Sequence, residues 1–270
     1  MSDYPLSGRT VLVTGAARGI GAAIAREADR RGANVVLADL RADGIEAVAG
    51  ELRNGLAVEA DVTDPAALDA AVSAGVERFG GIDVAVANAG IGPVGSFAEL
   101  DPATFDRTIE INLLGVVRTL RAALPQVRER RGYLLGIASL AAPVHVPRLA
   151  HYAAAKAGVE ALMNSIRIEL EPDGVAAGCA YFGWIDTDMV REGLEDPEAR
   201  AMREQGPGPA ILRKNYPPEG AAKAVCDGIE KRARRVVYPR WIAPALPLRM
   251  GFQRIVESQV RRVASARDRG

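Results

Sequence analysis

Tyr152 and Lys156 stand four residues apart in the run Tyr152-Ala153-Ala154-Ala155-Lys156. On an α-helix that spacing sets a phenol and an ammonium on one face, a turn from each other. The pair suits proton transfer. A free tyrosine has a pKa of about 10 and is a poor base at neutral pH, whereas a fixed cation beside it favours the phenolate. A solvated helix face would carry the same two residues, so the pair needs company. Ser139 lies thirteen residues upstream at the end of an apolar run, and Asn112 sits in Glu110-Ile111-Asn112-Leu113. A second constellation opens the chain: Thr14-Gly15-Ala16-Ala17-Arg18-Gly19-Ile20-Gly21. Absent side chains there would let backbone approach a pyrophosphate, and the positive end of a following helix would stabilise it. The same glycines could simply tighten a strand-to-helix turn.

The elements that must hold these residues follow from the apolar pattern. Short β-branched runs at Thr10–Thr14, Ala33–Ala38, Leu56–Ala60, Val84–Ala87, Tyr133–Ala138, Val175–Tyr181 and Val236–Tyr238 read as strands. Between most of them, Ala-rich segments with helical apolar spacing read as amphipathic helices: Gly21–Arg31, Pro65–Phe79, Ala103–Gln126, Tyr152–Glu171 and Glu219–Arg232. Strands that are apolar throughout imply burial on both faces, hence a parallel sheet covered by helices on each side. The expected fold is α/β, a single-domain doubly wound sheet of the Rossmann-like kind. In such sheets the ligand sits at the carboxyl ends of the strands, near the point where strand order reverses. Those ends carry Gly15 to Gly21, Asp39, Asp61-Val62, Asn88-Ala89-Gly90, Ser139 and Gly183 to Thr187. Asp39, eighteen residues beyond Gly21, could accept hydrogen bonds from ribose hydroxyls or could cap a helix. Asp61 and Asn88 taken singly would be turn formers.

Taken in order, the G-x-x-x-G-x-G turn, these strand ends and the Ser139, Tyr152, Lys156 set resemble the short-chain dehydrogenase/reductase family over residues 8–240. The resemblance implies that Gly15, Arg18, Gly19, Ile20 and Gly21 cradle a nicotinamide dinucleotide. It implies an adenine-edge contact at Asp61-Val62 and a strand-end turn beside the cofactor at Asn88, Ala89 and Gly90. Ser139 would hold the substrate oxygen beside the Tyr152 phenol. Lys156 would lower the phenol pKa and hold the nicotinamide ribose, while Asn112 would keep a water that relays protons. Gly183, Ile185 and Thr187 would keep the nicotinamide-side contacts. Phe182 departs from the family's usual proline, and its ring is expected near the carboxamide pocket. The implied enzyme moves a hydride between NAD(H) and an alcohol or carbonyl, with NAD favoured over NADP because Asp39 repels a 2′-phosphate. Arg18 and Arg41 keep an NADP(H) carbonyl reductase open as the rival. A nucleotide-binding redox sensor without turnover is the rival from another class.

The bulk composition fits one domain. A 270-residue chain with 49% hydrophobic residues buries one large core, and 5% aromatics leave it to Ala, Val, Leu and Ile. Its net charge of zero hides an asymmetry, since Lys231 to Gly270 holds eleven Lys/Arg against Glu257 and Asp268. Cys179 and Cys226 form no disulfide framework or zinc spacing, and His145 and His151 lack a third ligand, so no metal is expected. The two histidines are expected at the substrate mouth or surface. No apolar signal run or stretch of about 18 apolar residues is present, which points to a cytoplasmic protein. Residues 1–240 form the expected domain, with 189–216 as a substrate lid that includes the Gly206–Pro209 loop, and 241–270 as a basic extension. That tail, from Trp241 past Met250 and Phe252 to a helix-like basic end, is expected to wall an apolar pocket and at most touch membranes weakly. This would favour a lipophilic alcohol. The expected partners are a small alcohol or carbonyl and further copies of the chain, as homodimer or homotetramer through Ala103–Gln126 and Tyr152–Glu171, and no nucleic acid.

Overall fold

A computed structural model describes residues 4–204 and 213–248 of the chain. Seven parallel strands make one sheet: β1 Thr10–Thr14, β2 Asn34–Asp39, β3 Gly55–Glu59, β4 Val84–Ala87, β5 Tyr133–Ile137, β6 Ala176–Phe182 and β7 Arg235–Tyr238, in the order β3-β2-β1-β4-β5-β6-β7. The chain winds outward from β1 in one direction and then, from β4, in the other. The reversal therefore lies between β1 and β4, where Val11, Leu12 and Val13 pair with Val84, Ala85 and Val86.

Alternate residues of each strand feed opposite faces, and both faces are buried. Val11, Val13, Val35 and Leu37 pack with helices α1 Gly19–Arg30, α2 Ala42–Glu51 and α9 Pro218–Glu230. Leu12, Val36 and Ala38 pack with α3 Pro65–Phe79, α5 Gly115–Glu129 and α6 Ala150–Glu169. Helix starts follow local chemistry. Asp64 accepts a hydrogen bond from the Ala66 N–H with Pro65 in the first turn, and Asp101 does the same for Ala103 ahead of Pro102.

Four features differ from the sequence expectation. Helix α2 was not anticipated; it buries Ile45 and Val48 against the sheet. The long helix expected over Ala103–Gln126 is two helices, α4 Pro102–Ile109 and α5, joined by a wider π-helical turn at Glu110–Leu114, in which the Gly115 N–H donates to the Glu110 carbonyl. Phe182 ends β6 by pairing with Tyr238, and its ring is 4% exposed, spent on the core beneath α1 and α9. His151 is buried rather than at the surface, since its Nε2 bonds the Pro93 carbonyl at 2.9 Å and its ring lies tilted against that of Phe105.

Among the described residues between β6 and α9 are two short helices, α7 Asp188–Gly193 and α8 Pro197–Glu204. Beyond β7, a 3₁₀ turn at Arg240–Ala245 folds onto the domain: Ile242 is fully buried and Trp241 Nε1 donates to the Tyr216 hydroxyl at 3.1 Å. That packing answers the part of the tail from Trp241 to Leu248. Gly206–Pro209, Met250, Phe252 and the basic end lie outside the described residues. No helix among the described residues is long and apolar enough to cross a membrane.

Candidate active site

The glycine turn sits at the switch point and needs its glycines. Gly15 has φ +67°, a left-handed conformation that a side chain strains. A Cβ on Gly21 would collide with the Gly15 carbonyl oxygen. Helix α1 begins at Gly19, so Ile20 and Gly21 place their N–H groups in its first turn. Asn88 locks this turn to β4: its Nδ2 donates to the carbonyls of Thr14 and Gly15 at 2.9 and 3.1 Å. Thr14 Oγ1 accepts from the Asn88 and Ala89 N–H groups at 3.1 and 3.3 Å. Asn88 is thus a brace for the loop, and Thr14, quoted in the motif but given no role from sequence, is its counterpart.

Asp39 closes the far side of the turn. Its Oδ2 accepts from the Ala17 N–H at 3.0 Å and its Oδ1 from the Arg41 N–H at 3.1 Å, which orients the carboxylate at the end of β2. Arg18 lies elsewhere, with Nη1 3.0 Å from Asp188 Oδ2. Asp61 Oδ1 accepts from the Thr63 N–H at 2.8 Å, and the Val62 side chain is buried with Leu68 and Ile111. The Ile185 side chain is likewise spent on the core, while Thr187 caps α7 by accepting from the Val190 N–H at 3.4 Å.

Ser139, Tyr152, Lys156 and Asn112 are brought together by β5, α6 and the π turn. Ser139 Oγ accepts from the Ala141 N–H at 3.1 Å in the turn after β5, and its side chain hydrogen-bonds with the Tyr152 phenol. Lys156 is 4% exposed; its Nζ donates to the Ile137 carbonyl at 2.8 Å and lies 5.7 Å from the Tyr152 ring centroid. Asn112 is fully buried, and both ends of its amide clamp Ile91: Oδ1 accepts from the Ile91 N–H at 2.8 Å and Nδ2 donates to the Ile91 carbonyl at 2.7 Å. The π turn aims that amide inward, and Gly90, next to Ile91, faces both Asn112 and Lys156.

The electrostatics correct one expectation. Burial pushes the Tyr152 phenol above its usual range, opposed by the hydrogen bond with Ser139; Lys156 is not among the groups that lower it. Burial likewise depresses Lys156, to about 8, opposed by the charge interaction with Cys179. At neutral pH the phenol carries its proton and the ammonium is mostly charged.

The far wall of the site is the segment after β6. Trp184 and Asp186 pair with Tyr216, so residues 187–215 leave and return at one point. Met189 packs against Gly92 near the Tyr152 ring, and Val94 faces Gly193. Arg148 reaches across to Asp196 and Glu198, both at 2.7 Å. Among the described residues, no group of three or more His, Cys, Asp and Glu side chains is placed to hold a metal ion.

Residues 9–198 match the family model described as short chain dehydrogenase. The chain belongs to the short-chain dehydrogenase/reductase family. It is accordingly an NAD(P)-dependent oxidoreductase of CH–OH groups. It is 39% identical to an L-rhamnose 1-dehydrogenase (NAD(P)(+)) of Azotobacter vinelandii, covering 71% of this chain and 79% of that one. It is 34% identical to the L-fucose dehydrogenase of Mus musculus, covering 83% and 86%. The trans-4-hydroxycyclohexanecarboxylate dehydrogenase of Sinomonas cyclohexanicum is 39% identical over 67% of this chain and 74% of that one. Among solved structures, 3-ketoacyl-(acyl-carrier-protein) reductase from Brucella melitensis complexed with NADH superimposes with a TM-score of 0.78, at 29% identity over 86% of this chain and 97% of that one. A family member from Burkholderia phymatum in complex with NAD reaches 0.81 at 20% identity over 92% and 95%, a likeness of fold.

Proposed function

We propose that this protein is an NAD(H)-preferring dehydrogenase that oxidises the carbinol of a small alcohol, or reduces the matching carbonyl, with Tyr152 as its acid/base. The observation that carries this reading is the junction of Ser139, the Tyr152 phenol and the Lys156 ammonium beside the braced glycine turn. The dinucleotide fits the residues present: a Cβ on Gly21 would fill the cradle, and Asp39 offers ribose an oriented carboxylate. When bound, the nicotinamide accepts or supplies the hydride.

The chain's own residues handle oxygen and proton. Ser139 and Tyr152 present adjacent hydroxyls, so one substrate oxygen can meet both. In carbonyl reduction the protonated phenol donates to the forming alkoxide; in oxidation the phenolate takes the alcohol proton. We assign to Lys156 the holding of the nicotinamide ribose, and its donation to the Ile137 carbonyl fixes where the ammonium sits. Asn112 holds Ile91, and through it the loop between the cofactor site and the substrate. We assign the residual capacity of its amide to a relay water. The Asp39 carboxylate supports NAD over NADP, because a 2′-phosphate would meet a like charge.

Two observations bear on substrate. The apolar wall of Met189, Val94 and Gly92 supports an alcohol with an apolar face, and the likeness to rhamnose and fucose dehydrogenases supports a sugar carbinol. A panel of L-rhamnose, L-fucose, cyclohexanols and long-chain secondary alcohols, assayed with NAD and NADP, decides between them. Turnover of none of these with either cofactor would contradict the reading. Exposed Leu114, at the π turn, and Ile168, on α6, support pairing of copies through this side of the molecule.

A further inference from the structure

Arg18 stands in the glycine turn between Ala17, whose N–H holds Asp39, and Gly19, where a Cβ would lie 3.2 Å from Thr187 Cγ2. A guanidinium at this place has two directions open. One leads back toward Asp39, where the adenosine ribose would lie; the other leads across the turn to α7. The structure takes the second: Arg18 Nη1 is 3.0 Å from Asp188 Oδ2 and 3.6 Å from Glu192 Oε1. Asp188 is itself held in place, since its Oδ1 accepts from Arg191 Nη2 at 2.6 Å while Arg191 Nη1 donates to Asp186 Oδ1 at 2.6 Å.

We propose that Asp188 and Glu192 set cofactor specificity through Arg18: by holding its guanidinium on the α7 side, they withhold one of the two cations, Arg41 being the other, that a ribose 2′-phosphate could use. They act as positioning residues and reinforce the exclusion by Asp39. The proposal rests on the reading of the Gly15–Gly21 turn as the dinucleotide site. A phosphate of nearly two negative charges next to Asp39 requires a guanidinium at hydrogen-bond distance. Arg18 can supply it only by leaving both carboxylates. By linkage, a dinucleotide that recruits Arg18 also loosens α7.

The three groups are about half exposed, so each ion pair is screened and holds Arg18 by a factor of about 1.4 to 5. Removing both carboxylates is therefore expected to shift the NADPH-to-NADH affinity ratio by about fivefold. The test is direct titration of the full chain with NADH and with NADPH, followed by nicotinamide fluorescence. It uses wild type, the double variant Asp188→Asn/Glu192→Gln, Arg18→Ala, and all three changes together. The expected result is a ratio raised in the double variant, a smaller rise at high salt, and no rise when Arg18 is absent. An unchanged ratio overturns the proposal, as does a rise that persists without Arg18. A mere loosening of α7 would weaken both dinucleotides alike and leave the ratio unchanged, and so counts against it too. Binding of neither dinucleotide by the wild type would overturn the cofactor reading itself, and that result is visible before any variant is made.

Discussion

Replacing Lys156 by Met should stabilise the protein while disabling it. The ammonium is buried and its pKa is depressed from 10.5 to about 8 by desolvation. The unfolded chain therefore binds a proton more readily than the folded one between those two values, and stability rises with pH across that window. At about 1.4 kcal/mol per pH unit, the charge costs the folded state about 3 kcal/mol at and below neutral pH, and nothing above 10.5. Met has nearly the same length and no charge, so it removes this cost. It also orphans the Ile137 carbonyl that accepts from Nζ, which costs about 1 kcal/mol. The net gain at pH 7 is about 2 kcal/mol, or a Tm rise of roughly 4 to 8 °C in a chain of this size. Urea unfolding of both proteins at pH 7 and at pH 10.5, followed by circular dichroism, measures it. The variant should lead at pH 7 and lose that lead as the pH approaches 10.5. A variant less stable than wild type at pH 7, or a difference that ignores pH, would refute the reasoning.

Other consequences follow from the same geometry. Asp39→Ala should narrow the preference for NAD over NADP in kcat/KM, since it removes the like charge from the 2′ position; an unchanged ratio would discount the carboxylate. Gly21→Ala should abolish dinucleotide binding measured by titration, because its Cβ collides with the Gly15 carbonyl. Ile242→Ala should lower unfolding stability by about 2 to 4 kcal/mol, as expected for a side chain fully buried against the domain. Because burial holds the Tyr152 phenol above its usual range, alcohol oxidation should climb as pH rises through the alkaline range, while carbonyl reduction should fall. Initial rates in both directions check the two limbs.

The fold was legible wherever a strand is buried on both faces, because Val-rich runs such as Val11–Val13 and Val35–Leu37 leave little else for the chain to do. The order of glycine turn, strand-end acids and Tyr152-Lys156 marked out the candidate site for the same reason: strand ends are where a doubly wound sheet exposes backbone. Helix α2 escaped because Gly44 and Gly50 interrupt its apolar pattern and it buries only Ile45 and Val48. The π turn escaped because Ile111, Leu113, Leu114, Val116 and Val117 are apolar at nearly every offset, so the five-residue step from Ile111 to Val116 is masked by neighbours that supply the ordinary spacing. The Phe182 ring was misplaced because a strand-end residue can face either the core or the cleft, and His151 because a residue in the first turn of α6 can face inward or outward, and period alone does not tell which. Arg18 could not be read locally at all, since its partners Asp188 and Glu192 lie some 170 residues away.

The central claim, hydride transfer with Tyr152 as acid/base, is tested most directly by pairing wild type with Tyr152→Phe on the best alcohol from the panel. That alcohol should carry deuterium at the carbinol carbon. The variant keeps the ring and loses the hydroxyl, so NAD titration should match wild type. Wild type should move the label to the nicotinamide, and the variant should do so with kcat lower by about two orders of magnitude or more. Full turnover by Tyr152→Phe, or reduced nicotinamide formed by wild type without the label, would contradict the account.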